Sequence, residues 1–188
     1  LDDYTSQIET QTEAQAKSAP AKKTKSAWLD FFETIALALI LFFGINYVTQ
    51  RVRVENISML PTLKPDYLLV VNKLAYRNQN YKRGDIVVFH YQGKKDQDYI
   101  KRVIGLPGDT VQISNGIVKV NGIILQEPYI AEAPRYSDAW EVPEGKIFVL
   151  GDNRNDSSDS HQWGFVDMEW VVGKALLIYW PLDQFRLV

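Results

Sequence analysis

The sequence has no cysteine and only two histidines among its 188 residues. The absence of cysteine excludes thiol nucleophiles, disulfide frameworks and zinc-finger spacings. The two histidines, His90 and His161, are too few for a multi-histidine metal site and leave little material for an ordinary Ser-His-Asp triad. Any catalysis by this chain therefore depends on a different base, and we expect neither a metal nor an organic cofactor.

An excess of charge of one sign is also missing. The 21 Lys and Arg residues nearly balance the 23 Asp and Glu residues, which gives a formal net charge of -2. A phosphate backbone requires a positive surface, so we expect no nucleic-acid partner. The length suits one globular domain with an appendage. Nothing in the sequence demands a partner subunit, and we expect a monomer.

A single long apolar run lies near the start of the sequence. Residues 1–26 are polar and predict a flexible tail. The segment 27–48, A-W-L-D-F-F-E-T-I-A-L-A-L-I-L-F-F-G-I-N-Y-V, is long enough to span a bilayer if Asp30 and Glu33 lie near its polar end. No small-x-small cleavage site follows it, which favours an uncleaved anchor over a secretory signal. A core helix and an in-plane amphipathic helix are weaker alternatives, because β-rich sequence follows and charge is confined to the start.

Basic residues on the two sides of this segment predict its orientation. Lys17, Lys22, Lys23 and Lys25 precede it, and Arg51, Arg53 and Lys64 follow it. The slight excess before the segment favours a cytoplasmic N-terminus. We therefore expect a cytoplasmic tail (1–26), a single transmembrane anchor (27–48) and an extracytoplasmic domain (49–188).

The remainder of the chain is predicted to be mainly β, as an antiparallel sheet. Short apolar runs such as Y-L-L-V-V-N, D-I-V-V-F-H-Y and K-I-F-V-L alternate with turn signals such as K-R-G-D and P-E-G-K. Asn115-Gly116 and Asn121-Gly122 flank the alternating I-V-K-V. This arrangement predicts the middle of a meander with two tight hairpin turns.

Ser58 and Lys101 are the candidates for chemistry. Ser58 lies in V-E-N-I-S-M-L-P-T-L, after an extended segment, although serine and proline near a strand end more often form a structural turn. Strand alternation places Tyr99 and Lys101 on one face and Ile100 and Arg102 on the other, so we expect one basic residue to point inward. Burial can lower the pKa of a lysine by several units, as a base for serine requires. On spacing alone, the simpler interpretation is that Lys101 and Arg102 lie on a solvated strand and have no catalytic role.

Four ordered sequence boxes favour the catalytic interpretation. They are S-M-L-P-T-L at 58–63, R-G-D-I-V-V-F at 83–89, Y-I-K-R-V-I-G-L-P-G-D at 99–109 and G-D-N-R-N-D-S-S-D-S-H-Q-W-G-F-V at 151–166. In type, order and spacing they resemble the boxes of bacterial type I signal peptidases. With the anchor, the resemblance covers about residues 30 to 180. It implies a membrane-bound serine endopeptidase that removes N-terminal signal peptides from exported preproteins by a Ser/Lys dyad.

The resemblance also implies roles for individual residues. Ser58 matches the nucleophile, with its backbone N–H as an oxyanion donor, and Lys101 matches the general base, kept neutral by burial. Ser157 matches a serine that helps to orient the lysine. Asp152 matches a residue that supports the catalytic region together with Arg102.

Substrate binding follows from the same resemblance. An extended peptide is expected to add main-chain hydrogen bonds between two strands. Met59, Tyr99 and Ile100 match the positions that line the small pockets for an Ala-x-Ala motif. The expected partners are signal-peptide-bearing preproteins and the lipid bilayer. The expected location is the plasma membrane, with the thylakoid membrane as the alternative.

Two positions depart from the family pattern. Asn56 stands where a serine often completes the oxyanion hole, and its amide could donate instead. D-S-H-Q-W-G replaces the family's D-S-R-x-W-G, so Asp159 is expected to pair with His161 rather than with an arginine. Arginine keeps its charge, whereas histidine titrates near neutral pH. We therefore expect support of the lysine site to depend more strongly on pH.

Two other functions stay open at this stage. A self-cleaving repressor-type Ser/Lys protease shares the dyad, but the apolar segment 27–48 argues against it. An inactive membrane-anchored module could bind extended peptides without turnover. The combined presence of Ser58, Lys101 and Ser157 argues against that module.

The histidine at position 161 generates a first prediction. His161→Arg should flatten the acidic limb of the pH profile of activity, because arginine pairs permanently with a carboxylate. The measurement is the rate of precursor cleavage across the pH range for the parent and the variant. An unchanged profile would contradict the prediction.

Overall fold

The computed structural model describes residues 27–94 and 96–188. The predicted tail, residues 1–26, lies outside the described residues. Helix α1, Ala27–Val48, coincides with the predicted anchor. Its segment Trp28–Val48 is long and apolar enough to cross a membrane, and none of it is buried. The chain divides into two compact units, one that ends at Phe42 and one from Phe43 to Val188.

The second unit is built from antiparallel strands. In chain order they are β1 (Thr49–Arg53), β2 (Leu68–Asn72), β3 (Ile86–His90), β4 (Asp98–Gly105), β5 (Thr110–Ser114), β6 (Ile117–Val120), β7 (Ile123–Ile124), β8 (Asp138–Glu141), β9 (Lys146–Leu150), β10 (Val166–Asp167), β11 (Val171–Trp180) and β12 (Arg186–Leu187). A single helical turn, α2 (Ser160–Trp163), lies between β9 and β10. The prediction of a mainly antiparallel β domain after one apolar helix is confirmed.

The strands form two sheets among the described residues. The larger sheet has eight strands in the order β1-β2-β11-β3-β4-β9-β10, with β12 paired to β11. The smaller sheet has four strands in the order β7-β6-β5-β8. The predicted meander is present as β5-β6-β7, and both of its Asn-Gly turns have positive φ at the two turn residues. Asn and Gly tolerate this conformation better than other residues, which explains the turn sequence.

Strand β4 lies inside the larger sheet, hydrogen-bonded to β3 on one side and to β9 on the other. Apolar clusters cover both of its faces, with Ile104 in one cluster and Val103 in another. This placement corrects the expectation that one basic residue of the Lys-Arg pair points inward. Both Lys101 and Arg102 are buried, at 4% and 8% exposed. Each therefore needs its own polar partner.

Candidate active site

Ser58 lies at the start of a turn that follows β1. Two backbone hydrogen bonds, from the Val54 N–H to the Tyr67 carbonyl at 2.9 Å and from the Asp66 N–H to the Val54 carbonyl at 2.8 Å, hold the base of this segment. At its tip, the Asn153 N–H donates to the Ser58 carbonyl at 3.1 Å. The serine is thus attached both to the sheet and to the G-D-N-R segment that follows β9.

The side chains of Ser58 and Lys101 meet. The Lys101 Nζ lies 2.8 Å from the Ser58 Oγ and donates a second hydrogen bond to the Ile100 carbonyl at 3.1 Å. The residues are 43 positions apart in sequence, and β4 brings the lysine to the serine. A hydroxyl within hydrogen-bond reach of an amine can lose its proton to that amine when the amine is neutral. The arrangement suits nucleophilic acyl transfer.

The surroundings of Lys101 favour the neutral amine. Burial lowers its pKa from 10.5 to about 8, against the opposing effect of the negative charges of Asp159 and Asp152. A buried ammonium loses the stabilisation that hydration gives it, and the attraction of nearby carboxylates compensates for that loss only in part. With a pKa of about 8, about a tenth of the amine is already deprotonated at neutral pH, far more than for an ordinary lysine.

Arg102, the neighbour of Lys101, points to the other face of β4 and pairs with Asp152. Its Nε and Nη2 donate to the two carboxylate oxygens at 2.8 and 2.6 Å, and its Nη1 donates to the Gly84 carbonyl at 2.8 Å. The Thr62 hydroxyl donates to the same carboxylate. Because Asp152 is fully buried, these partners are what make its charge tolerable. The Arg102–Asp152 pair joins the lysine strand to the segment after β9, and Thr62 connects that carboxylate to the turn that carries Ser58.

Asp159 is the second buried carboxylate near the lysine. It accepts hydrogen bonds from the Gly151 N–H at 2.9 Å and from the backbone N–H of His161 at 3.3 Å. Its Oδ1 also lies 2.6 Å from the His161 Nδ1, as the sequence led us to expect. The ring of Tyr136 stacks on the histidine with centroids 4.0 Å apart.

Ser157 and Gly151 lie against the Ser58 backbone. A Cβ added at Gly151 would overlap the Ser157 Oγ and the Ser58 carbonyl oxygen, so only glycine fits there. Ser157 is buried, and its Oγ has no hydrogen-bond partner among the described residues. The role of Ser157 in orienting the lysine stays a prediction.

A groove of about 550 Å³ passes over the dyad. Its walls come from residues 50–59 on one side and from the start of β4 on the other, and Asp156 and Ser158 also line it. The predicted substrate residues Met59, Tyr99 and Ile100 all line this groove, as does Asn56. The structure therefore gathers the predicted substrate residues around the dyad.

Residues 125–137, which we call the strap, contain no helix or strand and contact three side chains close to the site, those of Arg154, Arg102 and His161. The strap residue Glu127 binds Arg154 through two hydrogen bonds of 2.8 and 2.6 Å, and Arg154 donates to the Gly151 carbonyl at 3.1 Å. The ring of Tyr129 lies 3.9 Å from the Arg102 guanidinium carbon. Tyr136 supplies the ring on His161. The strap thus contacts the partners of both buried carboxylates.

Sequence reasoning missed the strap. Arg154 belongs to the G-D-N-R box, which drew attention to it without indicating a partner. Glu127 and Tyr129 stand in L-Q-E-P-Y, which has neither periodicity nor a motif. The available signal was Arg154 itself, which stands in a motif of the site without a predicted partner. If that arginine is buried, its guanidinium requires a carboxylate from elsewhere in the chain.

The chain is similar to several known proteins. A family model described as signal peptidase, peptidase S26, matches residues 28–180. A probable signal peptidase I-2 of Synechocystis sp. is 41% identical over 182 residues, which cover 93% of this chain and 82% of that protein. A signal peptidase I of Leptolyngbya laminosa is 40% identical over 183 residues, which cover 93% of this chain and 90% of that protein. A crystal structure of a signal peptidase I from Enterococcus faecalis is 35% identical, with 51% of this chain and 97% of that chain covered at a TM-score of 0.46.

The strap generates a stability prediction. Glu127→Gln should lower the free energy of unfolding by about 3–5 kcal/mol, because it leaves the fully buried Arg154 charge without its counter-ion. Glu132→Gln is the matched control. It removes the same group from an exposed pair with Arg135 and should cost less than about 1 kcal/mol. Thermal unfolding in detergent measures both, and equal melting temperatures for the two variants would contradict the prediction.

Proposed function

Because this chain belongs to the signal peptidase family, peptidase S26, we propose that it removes signal peptides from exported preproteins by a Ser58/Lys101 dyad in a domain anchored to the membrane by α1. The observation that carries the proposal is the 2.8 Å contact between the Ser58 Oγ and the buried Lys101 Nζ. A buried amine in contact with a hydroxyl supplies both the nucleophile and its base.

The proposed reaction has two stages. Neutral Lys101 accepts the Ser58 proton while the serine oxygen attacks the carbonyl carbon of the last residue of the signal peptide, and the Ser58 N–H stabilises the resulting oxyanion. The lysine then gives its proton to the departing amine, which is the N-terminus of the mature protein. A water molecule, activated by the same lysine, hydrolyses the acyl-enzyme and releases the signal peptide. Asp152, Arg102, Asp159 and Ser157 are assigned the positioning of the dyad, and Asn56 is the candidate second oxyanion donor.

The groove supports an extended substrate. A peptide between residues 50–59 and the start of β4 would gain main-chain hydrogen bonds from both walls. We assign Met59, Tyr99 and Ile100 to the pockets that accept Ala-like side chains before the cut. Met59 and Ile100 belong to one packed apolar cluster, so that part of the wall has little room to yield.

The proposed location is the plasma membrane, with the N-terminus in the cytoplasm and the peptidase domain outside it, and the thylakoid membrane is the alternative.

The domain also carries apolar side chains that suit a lipid surface. Trp180, Leu182, Phe185 and Leu187 are all more than half exposed. Beside them, the Arg186 guanidinium donates to the Thr62 carbonyl at 2.8 Å, which connects this turn to the Ser58 segment. We propose that the monomeric domain rests on the bilayer through these side chains.

The lysine generates a pH prediction. Below its pKa the amine is protonated and cannot accept the serine proton, so kcat/KM should fall as pH drops through about 8 and level off above it. The measurement is kcat/KM across pH with a peptide substrate that does not itself titrate. Continued cleavage by Lys101→Ala together with loss of cleavage in His161→Ala would assign the base to His161 instead.

The proposed function predicts a specific cleavage. The detergent-solubilised chain should cut a secretory precursor after an Ala-x-Ala motif, and Ser58→Ala and Lys101→Ala should each lose about a thousandfold or more of kcat. The exposed residues Ser137 and Lys64, each changed to alanine, are matched controls that should keep the parent rate.

Mass spectrometry of the products locates the cut and separates the alternatives. Cleavage confined to this chain itself would favour the self-cleaving protease. Binding of several precursors without any cleavage by the parent would favour the peptide-binding module. Full activity of Lys101→Ala would overturn the dyad.

A further inference from the structure

An aromatic cluster lies behind one wall of the groove. Tyr99 lines the groove, and its ring centroid is 5.4 Å from the Lys101 Nζ. Tyr91 stacks on Tyr99 with centroids 4.6 Å apart and ring planes 11° from parallel. Tyr91 is not among the described residues that line the groove. Its ring therefore reaches the substrate path only through Tyr99.

The fold holds Tyr91 firmly. Tyr91 follows β3 in the turn that leads to β4, where its N–H donates to the Gln97 carbonyl at 2.8 Å and its own carbonyl accepts from the Lys94 N–H at 3.0 Å. The His90 Nδ1 and Asp98 Oδ1, 2.7 Å apart, close the base of this hairpin. The position of Tyr91 is thus set by the backbone and does not depend on Tyr99.

Two further rings complete the cluster. Trp163 meets the Tyr91 ring edge to face at 5.6 Å, and Phe89 meets Tyr99 at 6.1 Å with ring planes 62° apart. Tyr91, Phe89 and Trp163 also line a cavity of about 320 Å³. Without the Tyr91 ring, Tyr99 would lose the stacking partner on one face. Space would then open in the direction of this cavity.

We propose that Tyr91 is a specificity-determining positioning residue, because its stacked ring fixes Tyr99 as the rigid wall of the pocket for the small side chain before the cut. The proposal rests on the proposed function. A tyrosine ring turns about two side-chain torsions, and stacking restricts both of them. A wall that cannot turn excludes side chains larger than alanine, whereas a wall that can turn admits them at the expense of the contact with alanine.

The test compares two precursors that differ only in the residue before the cut, alanine or valine. Tyr91→Ala should raise the valine-to-alanine ratio of kcat/KM about three- to tenfold, the range that one aromatic pair supports. Tyr91→Phe keeps the stacked ring and should keep the parent ratio. Tyr76→Ala is a matched control, since Tyr76 stacks on Tyr81 at 4.0 Å in the same domain and does not line the groove.

Each outcome decides a different point. A ratio for Tyr91→Ala within twofold of the parent, or an equal rise in Tyr76→Ala, would overturn the role of Tyr91 and leave the proposed function intact. A parent that cuts neither precursor would overturn the proposed function, and the role of Tyr91 with it. If Tyr91→Ala does not fold, Tyr91→Leu keeps apolar bulk without a flat ring, and the same threshold applies to its ratio.

Discussion

Lys101 holds its amine 2.8 Å from the Ser58 hydroxyl with almost no access to water. Burial disfavours the ammonium form, and two buried carboxylates nearby favour it. The pKa of about 8 is the balance of these effects. A fully exposed lysine would stay charged at neutral pH. A buried lysine in direct contact with a carboxylate that had no other partner would also stay charged. The domain therefore has to bury the amine and keep the carboxylates engaged elsewhere.

The partners of those carboxylates meet this requirement. Asp152 is bound by Arg102 through both of its oxygens, and Asp159 contacts His161 and the Gly151 N–H. Neither carboxylate forms an ion pair with Lys101 among the described residues. The strap covers the residues that bind these two carboxylates, since Tyr129 lies over Arg102 and Tyr136 lies over His161. An irregular segment thus contributes to the electrostatics of a site whose chemical groups lie on other elements.

Local patterns explain which parts of this structure could be predicted. The Asn-Gly turns, the apolar helix and the strand character of Y-I-K-R-V-I-G depend on neighbours in sequence, and the ordered boxes indicated Ser58, Lys101 and the pairing of Arg102 with Asp152. The burial of both Lys101 and Arg102 depends on the placement of β4 between β3 and β9, which no local pattern encodes. Glu127 and Arg154 are separated by 27 residues, and Tyr91 acts through a ring in the next strand, so neither contact has a sequence signature.

A single strand carries the groups that must keep a fixed spacing. Side chains two residues apart on a strand lie on one face, roughly 6–7 Å apart along the backbone, so the Tyr99 wall stays beside the Lys101 amine. On the opposite face, Ile100 packs against the cluster that contains Met59, and Arg102 binds Asp152. Any shift of β4 along its neighbours would move the Lys101 amine, the Arg102 guanidinium and one wall of the groove together. This coupling explains why the four residues Y-I-K-R are contiguous in sequence. Substrate specificity can be adjusted instead at a ring such as that of Tyr91, because a substitution there does not move the strand.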